Sequence, residues 1–328
     1  MSEIAAMLGE SIGRLLADRL DEDAMRAART GAWPGDLWQA LAELGVPLAL
    51  VPEDAGGFGI DTADALSLIR LFGRHVVPLP LGETMLANAV LAGAGLPLAT
   101  GPAALVAAGW ADRVAWGRYC RTFVIETRDG IARIDAGTDS GAAVIAAGAN
   151  LAGLPRDRMR LPDRGGVAMP GTLLLRGALV RALQCAGALE QVLALTVAHV
   201  SARVQFGRPL AKFQAVQQQL ATLAGEVAAA AAAADLAADA FVADPATADV
   251  AIAVARVRIG EAVGKANAIA HQLHGAIGFT AEHRLHVLTT NLWAWRDEYG
   301  GASRWATLLG DRALVAGRDG FWPMVTAA

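Results

Sequence analysis

Apolar positions in the first third of the chain recur at helical spacing. Trp38, Leu41, Leu44 and Val46 mark one helix, followed by Val51-Pro52-Glu53 and the turn Gly56-Gly57-Phe58-Gly59. The pattern changes near residue 112. Thr122–Thr127 and Ile131–Ile134 read as two short strands around Arg128-Asp129-Gly130. Pro155, Pro162 and Pro170 then break any helix. Helical periodicity returns for the rest of the chain. It predicts helices over 175–202, 209–242, 246–272 and 282–298, and from Ser303 to about Val315. In the second of these, Leu210, Phe213, Val216, Leu220, Leu223 and Val227 form one apolar stripe. Asp244-Pro245 predicts the N-cap and first turn of the third, and Gly300-Gly301 separates the last two. The predicted fold is mainly α with a small β domain. An N-terminal helical domain (1–111) precedes a small β domain (112–170) and a C-terminal four- or five-helix bundle (171–328).

Composition sharpens this picture. At 328 residues the chain is long enough for a large core. Alanine is abundant and aromatics make up only 5 %, which favours helix. A net charge of −4 gives no reason to expect nucleic acid. Cys120 and Cys185 form neither a disulfide framework nor a metal cluster, and fit a reducing, cytoplasmic setting. The start, MSEIAAMLGES, does not read as a signal peptide. The long uncharged stretch from Thr84 to Ala111 contains Pro97, Pro102 and several glycines, which excludes it as a membrane span.

Two stretches carry candidate chemistry, RVQFGRPLAKFQAVQQQLA from Arg203 and QLHGAIGFTAEHRL from Gln272. Arg203 ends a predicted helix, where a planar cation suits a diphosphate held by two hydrogen bonds. Phe206 can cover an apolar cofactor edge, and Gly207 permits a tight turn. Gly275 and Gly278 let backbone amides approach a ligand, and the Gln272 amide supplies a donor and an acceptor. Singly, these are an arginine at a helix end and a glycine helix stop. Together and in this order they resemble the two C-terminal signatures of the acyl-CoA dehydrogenase family. The order W..L.ELG…VPE..GG.G near the N-terminus resembles that family's first domain. The resemblance implies FAD as cofactor. It assigns Arg203, Phe206, Gly207, Gln272, Gly275 and Gly278 to the adenosine diphosphate half of a FAD whose flavin lies in a neighbouring subunit. Ala276 stands where the family usually has a second glycine.

The family removes the α proton of a CoA thioester with a carboxylate, placed at one of two positions. The resemblance puts these at Gly300, in Tyr299-Gly300-Gly301-Ala302-Ser303, and at Gly177, counted back from Arg203. Neither can carry a proton. Asp297 and Glu298 are the only weak alternatives, expected to face solvent or to pair with Arg296 or Arg304. The family's flavin-wrapping stretches are also missing between 112 and 170, and Trp110 and Trp116 read as core or interface residues. His271 with His274, and His283 with His286, have helical metal spacing, but no acidic residue or cysteine completes a set; the expectation is no metal. The chain therefore reads as the short, base-less subunit of a hetero-oligomeric (α2β2) acyl-CoA dehydrogenase. A longer subunit of the same family would supply the base for an acyl-CoA of steroid origin, with electron-transfer flavoprotein as acceptor. Two alternatives stay open: a homo-oligomeric enzyme using Glu298 or Asp297, and a redox-silent structural subunit without FAD.

Overall fold

A computed structural model describes residues 3–138, 141–280 and 282–326. Its elements run α1 (Glu3–Arg19), α2 (Glu22–Arg29), α3 (Gly35–Glu43), α4 (Thr62–His75), α5 (Leu81–Gly93), β1 (Ala103–Val106), β2 (Val114–Ala115), β3 (Thr122–Thr127), β4 (Gly130–Asp135), β5 (Ala143–Ala146), β6 (Arg156–Arg160), α6 (Leu173–Ala202), β7 (Val204–Gln205), β8 (Arg208–Pro209), α7 (Gln214–Ala243), α8 (Asp249–His274), α9 (Leu285–Asp297) and α10 (Ala302–Thr326). The chain is mainly α with a small β part, as its periodicity predicts. By internal contacts it divides into two compact units, Met1–Phe72 with Val77–Val180, and Gly73–Val76 with Arg181–Ala328.

The first unit holds the N-terminal helices and strands β1 to β6. β3 pairs with β1 in parallel and with β4 antiparallel, while β6 lies between β2 and β5. The β3–β4 hairpin matches the sequence reading, with Gly130 (φ 143°) opening β4. A Cβ at Gly130 would stand 2.0 Å from the Val167 carbonyl oxygen, so no other residue fits there. β1 was not visible in the pattern. All four of its residues are buried, so the period-2 alternation that betrays a strand is absent. Trp116 is a core residue, packed edge-on against Trp33, while Trp110 carries the Arg113 guanidinium over its ring at 4.9 Å.

The second unit is a helical bundle centred on α8, which packs against α7, α9 and α10. One broad side of α8 is buried from Ala251 to His274, including Arg256 and Asn267, while Glu261, Lys265 and Gln272 on the opposite side are exposed. A helix with so broad a buried side packs against several neighbours at once. Three boundaries differ from the sequence reading. α7 begins at Gln214 because Pro209 pairs in β8 and Leu210–Lys212 form a 3₁₀ turn. The stripe predicted for it is buried at Leu223 and Val227 but only half-buried from Leu210 to Leu220. Asp244 caps a turn through the Ala246 N–H (2.9 Å) instead of α8, which starts at Asp249. α10 continues to Thr326, with a kink at Gly317 (φ 64°).

α6 and α7 are both long and apolar enough to cross a membrane. In α6 the apolar window is 72 % buried, as expected of a core helix; in α7 it is only 33 % buried. An apolar helix left largely uncovered is a surface suited to another protein chain.

Candidate functional site

Arg203 follows the last residue of α6. Its N–H donates to the His199 carbonyl (2.9 Å), and its carbonyl accepts from Leu210 N–H (2.9 Å) across the β7–β8 hairpin. These bonds fix where the side chain leaves the backbone. The guanidinium makes no hydrogen bond or ion pair to a described residue, so its five donors are available. Phe206 and Gly207 form the two-residue hairpin tip, both with positive φ (51° and 78°). This matches the mirror-image turns that suit a two-residue hairpin. Glycine suits such a position and phenylalanine does not. Phe206 nonetheless sits there, 89 % exposed, its ring edge-on to Phe213. Strain spent on an exposed aromatic marks a residue held out for something to cover.

The second signature stops α8. Gly275 (φ 64°) is its C-cap, and a Cβ there would meet nothing within 4 Å. Gly275 is thus required by backbone conformation and leaves open space above it. Gly278 has the opposite reason: it is buried, and a Cβ would lie 3.0 Å from His274 Cβ and 3.1 Å from Leu285 Cδ2. Gln272 is exposed on the last turn of α8.

The fold brings the two signatures to one cavity of about 600 Å³ in the second unit, lined by Arg203, Gln272 and Gly275, among others. Phe206, Gly207 and Gly278 are not in its lining. Three residues missed by the sequence reading are: His199 and Gln205, beside Arg203, and Gln219 on α7. Leu210 and Val216 line it as well, which explains why the first half of the predicted stripe is half-buried. Among the described residues the lining contains a guanidinium, imidazoles and side-chain amides but no carboxylate. That donor set suits a bound diphosphate, and the adenosine diphosphate half of FAD fits it.

The region aligned with the family's base is built quite differently. Tyr299 and Gly300 both have positive φ (54° and 98°) between α9 and α10. The Gly300 carbonyl accepts from Trp305 Nε1 (2.9 Å) and from Arg256 Nη2 (3.0 Å). The same Nη2 reaches the carbonyls of Trp295, Arg296 and Glu298, so the buried Arg256 satisfies the C-terminal end of α9. Burial lowers its pKa to about 10, still leaving it charged at neutral pH. A Cβ on Gly300 would stand 2.8 Å from Arg304 Cδ and 3.0 Å from Trp305 Nε1. The position is closed by its conformation and by its neighbours. Gly177, at the other base position, is buried within α6.

Glu298 departs from expectation. It is 2 % exposed and accepts from Arg181 Nε at 2.6 Å. Arg181 was not among the expected partners; the chain leaves α9 extended at Glu298, and the side chain is buried rather than facing solvent. Asp297 lies at the surface beside Arg296 (3.3 Å), as expected. Both cysteines are buried thiols, and burial pushes Cys185 up to about 12, so neither offers a thiolate.

A mostly helical chain with an anion-suited cavity at the end of α8 is the class of protein that the fold and the site define. The comparisons name the class. Residues 2–98 match the acyl-CoA dehydrogenase N-terminal domain and residues 164–299 the acyl-CoA dehydrogenase C-terminal domain. The chain belongs to the acyl-CoA dehydrogenase family. It is 34 % identical over 293 residues to the acyl-CoA dehydrogenase IpdE2 of Mycobacterium tuberculosis, covering 86 % of this chain and 88 % of that one. It is 30 % identical over 299 residues to IpdE2 of Mycolicibacterium smegmatis, covering 88 % and 91 %. Among solved structures it resembles a chain of the ChsE4-ChsE5 complex from Mycobacterium tuberculosis (TM-score 0.79, 22 % identity, 97 % of this chain and 99 % of that chain). It also resembles one from the Tcur3481-Tcur3483 steroid ACAD (TM-score 0.78, 22 % identity, 94 % and 96 %). At that identity the structural likeness speaks for the fold.

Proposed function

We propose that this chain is the cofactor-lending, base-less subunit of a hetero-oligomeric, FAD-dependent acyl-CoA dehydrogenase. The observation that carries the reading is Gly300. The family places a proton-abstracting carboxylate there, and here the backbone conformation and the buried Trp305 leave no room for one. When bound, FAD supplies the acceptor for the hydride leaving the β carbon of the thioester. This chain's own contribution is binding and orientation. Arg203 grips the diphosphate, Gln272 and the amides after Gly275 donate to it, and Phe206 covers an apolar edge of the cofactor. Gly207 and Gly278 allow the turns that hold those groups in place. A longer subunit of the same family supplies the base and the flavin-ring contacts. α7, apolar and largely uncovered, is the surface offered for assembly.

The likeness to IpdE2, an acyl-CoA dehydrogenase that this chain covers to 88 %, supports the reading, and both structural neighbours come from two-protein systems. By the second of these, a steroid-derived acyl-CoA is the substrate class we favour. Electron-transfer flavoprotein is the proposed acceptor, and the cytoplasm the proposed compartment. The alternative base Glu298 is already committed to the Arg181 ion pair, and nothing in the geometry favours it.

The test is co-expression with a longer acyl-CoA dehydrogenase from the same genome, followed by flavin analysis and turnover of steroid-side-chain acyl-CoAs with an artificial acceptor. The chain alone is expected to self-associate and to turn over nothing. The complex is expected to be yellow and active. Robust turnover by the chain on its own refutes the reading, as does a colourless, stable monomer at micromolar concentration.

A further inference from the structure

Three histidines that are distant in sequence meet in the second unit. His199 lies near the end of α6, His274 ends α8, and His283 precedes α9. The His199 and His274 rings stack with centroids 4.4 Å apart, and His283 stands edge-on to His274 at 4.7 Å. One ring nitrogen from each falls within 4.8 Å of the others. The helical pairs suggested by spacing, His271 with His274 and His283 with His286, are not what the fold assembles. His271 turns away to Thr289 Oγ1 (2.9 Å) and stacks on Phe279, while His286 bonds the His283 carbonyl (2.8 Å).

His274 is the informative member. It is 6 % exposed, and its Nδ1 donates to the Ala270 carbonyl at 2.7 Å. That bond fixes the tautomer and leaves a lone pair on Nε2. Nε2 is buried and has no hydrogen-bond partner. An unpartnered buried acceptor is costly, and its presence in a fold asks for an explanation. A ligating histidine whose other nitrogen is tied to a backbone carbonyl is the usual arrangement at metal sites. Burial, together with the neighbouring imidazoles, keeps His274 neutral at physiological pH, as a ligand must be.

We propose that His199, His274 and His283 form a three-imidazole site for a borderline divalent cation such as Zn²⁺. Imidazole ligands suit zinc, copper and nickel, and the absence of a carboxylate from the set disfavours magnesium and calcium. Tetrahedral zinc with Zn–N bonds of about 2.0–2.1 Å needs nitrogens ~3.4 Å apart, so the cluster must close by at most about 1.4 Å. Side-chain rotation provides this closure. The His199 ring makes no hydrogen bond to a described residue that would restrain it. His283 accepts the Leu285 N–H at Nδ1 (3.1 Å), and coordination through Nε2 moves its proton to Nδ1 and gives up that long bond. His199 and His274 also line the 600 Å³ cavity, so the fourth position of the ion can be reached from it. Arg203, whose charge already acts on His199, makes an anionic fourth ligand the favoured one.

The site is tested on the full chain, free of any histidine tag and stripped of metal, titrated with Zn²⁺ or Co²⁺. The visible bands of four-coordinate cobalt should appear and saturate at one ion per chain, and zinc should raise the melting temperature. His274→Ala should weaken binding at least tenfold and abolish the zinc-induced rise, while His75→Ala, outside the cluster, should change neither. If His274→Ala fails to fold, His199→Gln at the cavity edge gives the same reading. Absence of saturable cobalt bands in the wild-type chain overturns the proposal. Unchanged affinity in whichever cluster variant folds overturns it too.

Discussion

Replacing Gly300 by alanine probes whether the family's base position is closed in this chain. At φ 98° a side chain meets the left-handed penalty, about 1–2 kcal/mol for an L-residue. Its Cβ would also lie 2.8 Å from Arg304 Cδ and 3.0 Å from Trp305 Nε1. The arginine side chain can move aside. Trp305 cannot move freely, because it is 1 % exposed and its Nε1 donates to the Gly300 carbonyl at 2.9 Å. Overpacking of this sort costs about 1–3 kcal/mol. The expected loss for Gly300→Ala is therefore about 2–5 kcal/mol, measured by chemical denaturation of the assembled protein. Gly301→Ala is the matched control. Its Cβ would meet only Asp297 Oδ1, at 3.4 Å, and its φ is not in the left-handed region, so the loss should stay within about 0.5 kcal/mol. Gly300→Glu restores the carboxylate that the family uses. It should destabilise at least as much as alanine and confer no turnover on the chain alone. Equal effects at the two glycines would refute the steric argument. A stable Gly300→Glu chain that gains dehydrogenase activity would show the position to be open and overturn the base-less reading with it.

Two further substitutions address the cofactor and the remaining carboxylate. Arg203→Ala should weaken FAD binding by the assembled enzyme about tenfold or more, because hydrogen bonds to charged groups contribute about 1.5–3 kcal/mol, and Arg203→Lys should restore only part of it. Flavin retention on gel filtration reads this directly, and unchanged retention in Arg203→Ala removes the residue from the site. Glu298→Gln should cost about 3 kcal/mol of stability, since it strips a buried arginine of its counter-charge, while leaving kcat of the assembled enzyme unchanged. A fall of about 10²–10⁴-fold in kcat would instead identify Glu298 as the base.

Much of the fold was legible because helices announce themselves locally. The stripe of α7, the Gly300-Gly301 break and the β3–β4 turn each depend on residues within a few positions of one another. What escaped was set by partners far along the chain. β1 carries no alternation because both its faces are buried, and its pairing with β3 is parallel and non-local. Pro245 resembles a helix start, but Asp244 satisfies the N–H groups of a separate turn first, and the helix waits until Asp249. Glu298 sits among charged and glycine residues that suggest solvent. It is buried because Arg181, more than a hundred positions earlier, comes to meet it.

The candidate site divides along the same line. Arg203 and Gln272 were readable as motif residues, since a free cation and a glycine stop have recognisable neighbours. That they share one cavity is a property of the bundle, in which the end of α6 and the end of α8 come together. The same convergence places His199 against His274, which no spacing rule within a single helix predicts. Closure at Gly300 follows from the bundle as well. Arg256, on the central helix, gathers four carbonyls at the end of α9 and fixes the turn that gives Gly300 its positive φ. A carboxylate at that turn would have to displace Trp305 or break the Arg256 bonds, and either change would loosen the junction of α8, α9 and α10. Placing a carboxylate there would therefore take several coordinated substitutions, whereas the proposed lending of Arg203 and Gln272 to a neighbour needs no rearrangement of the junction at all.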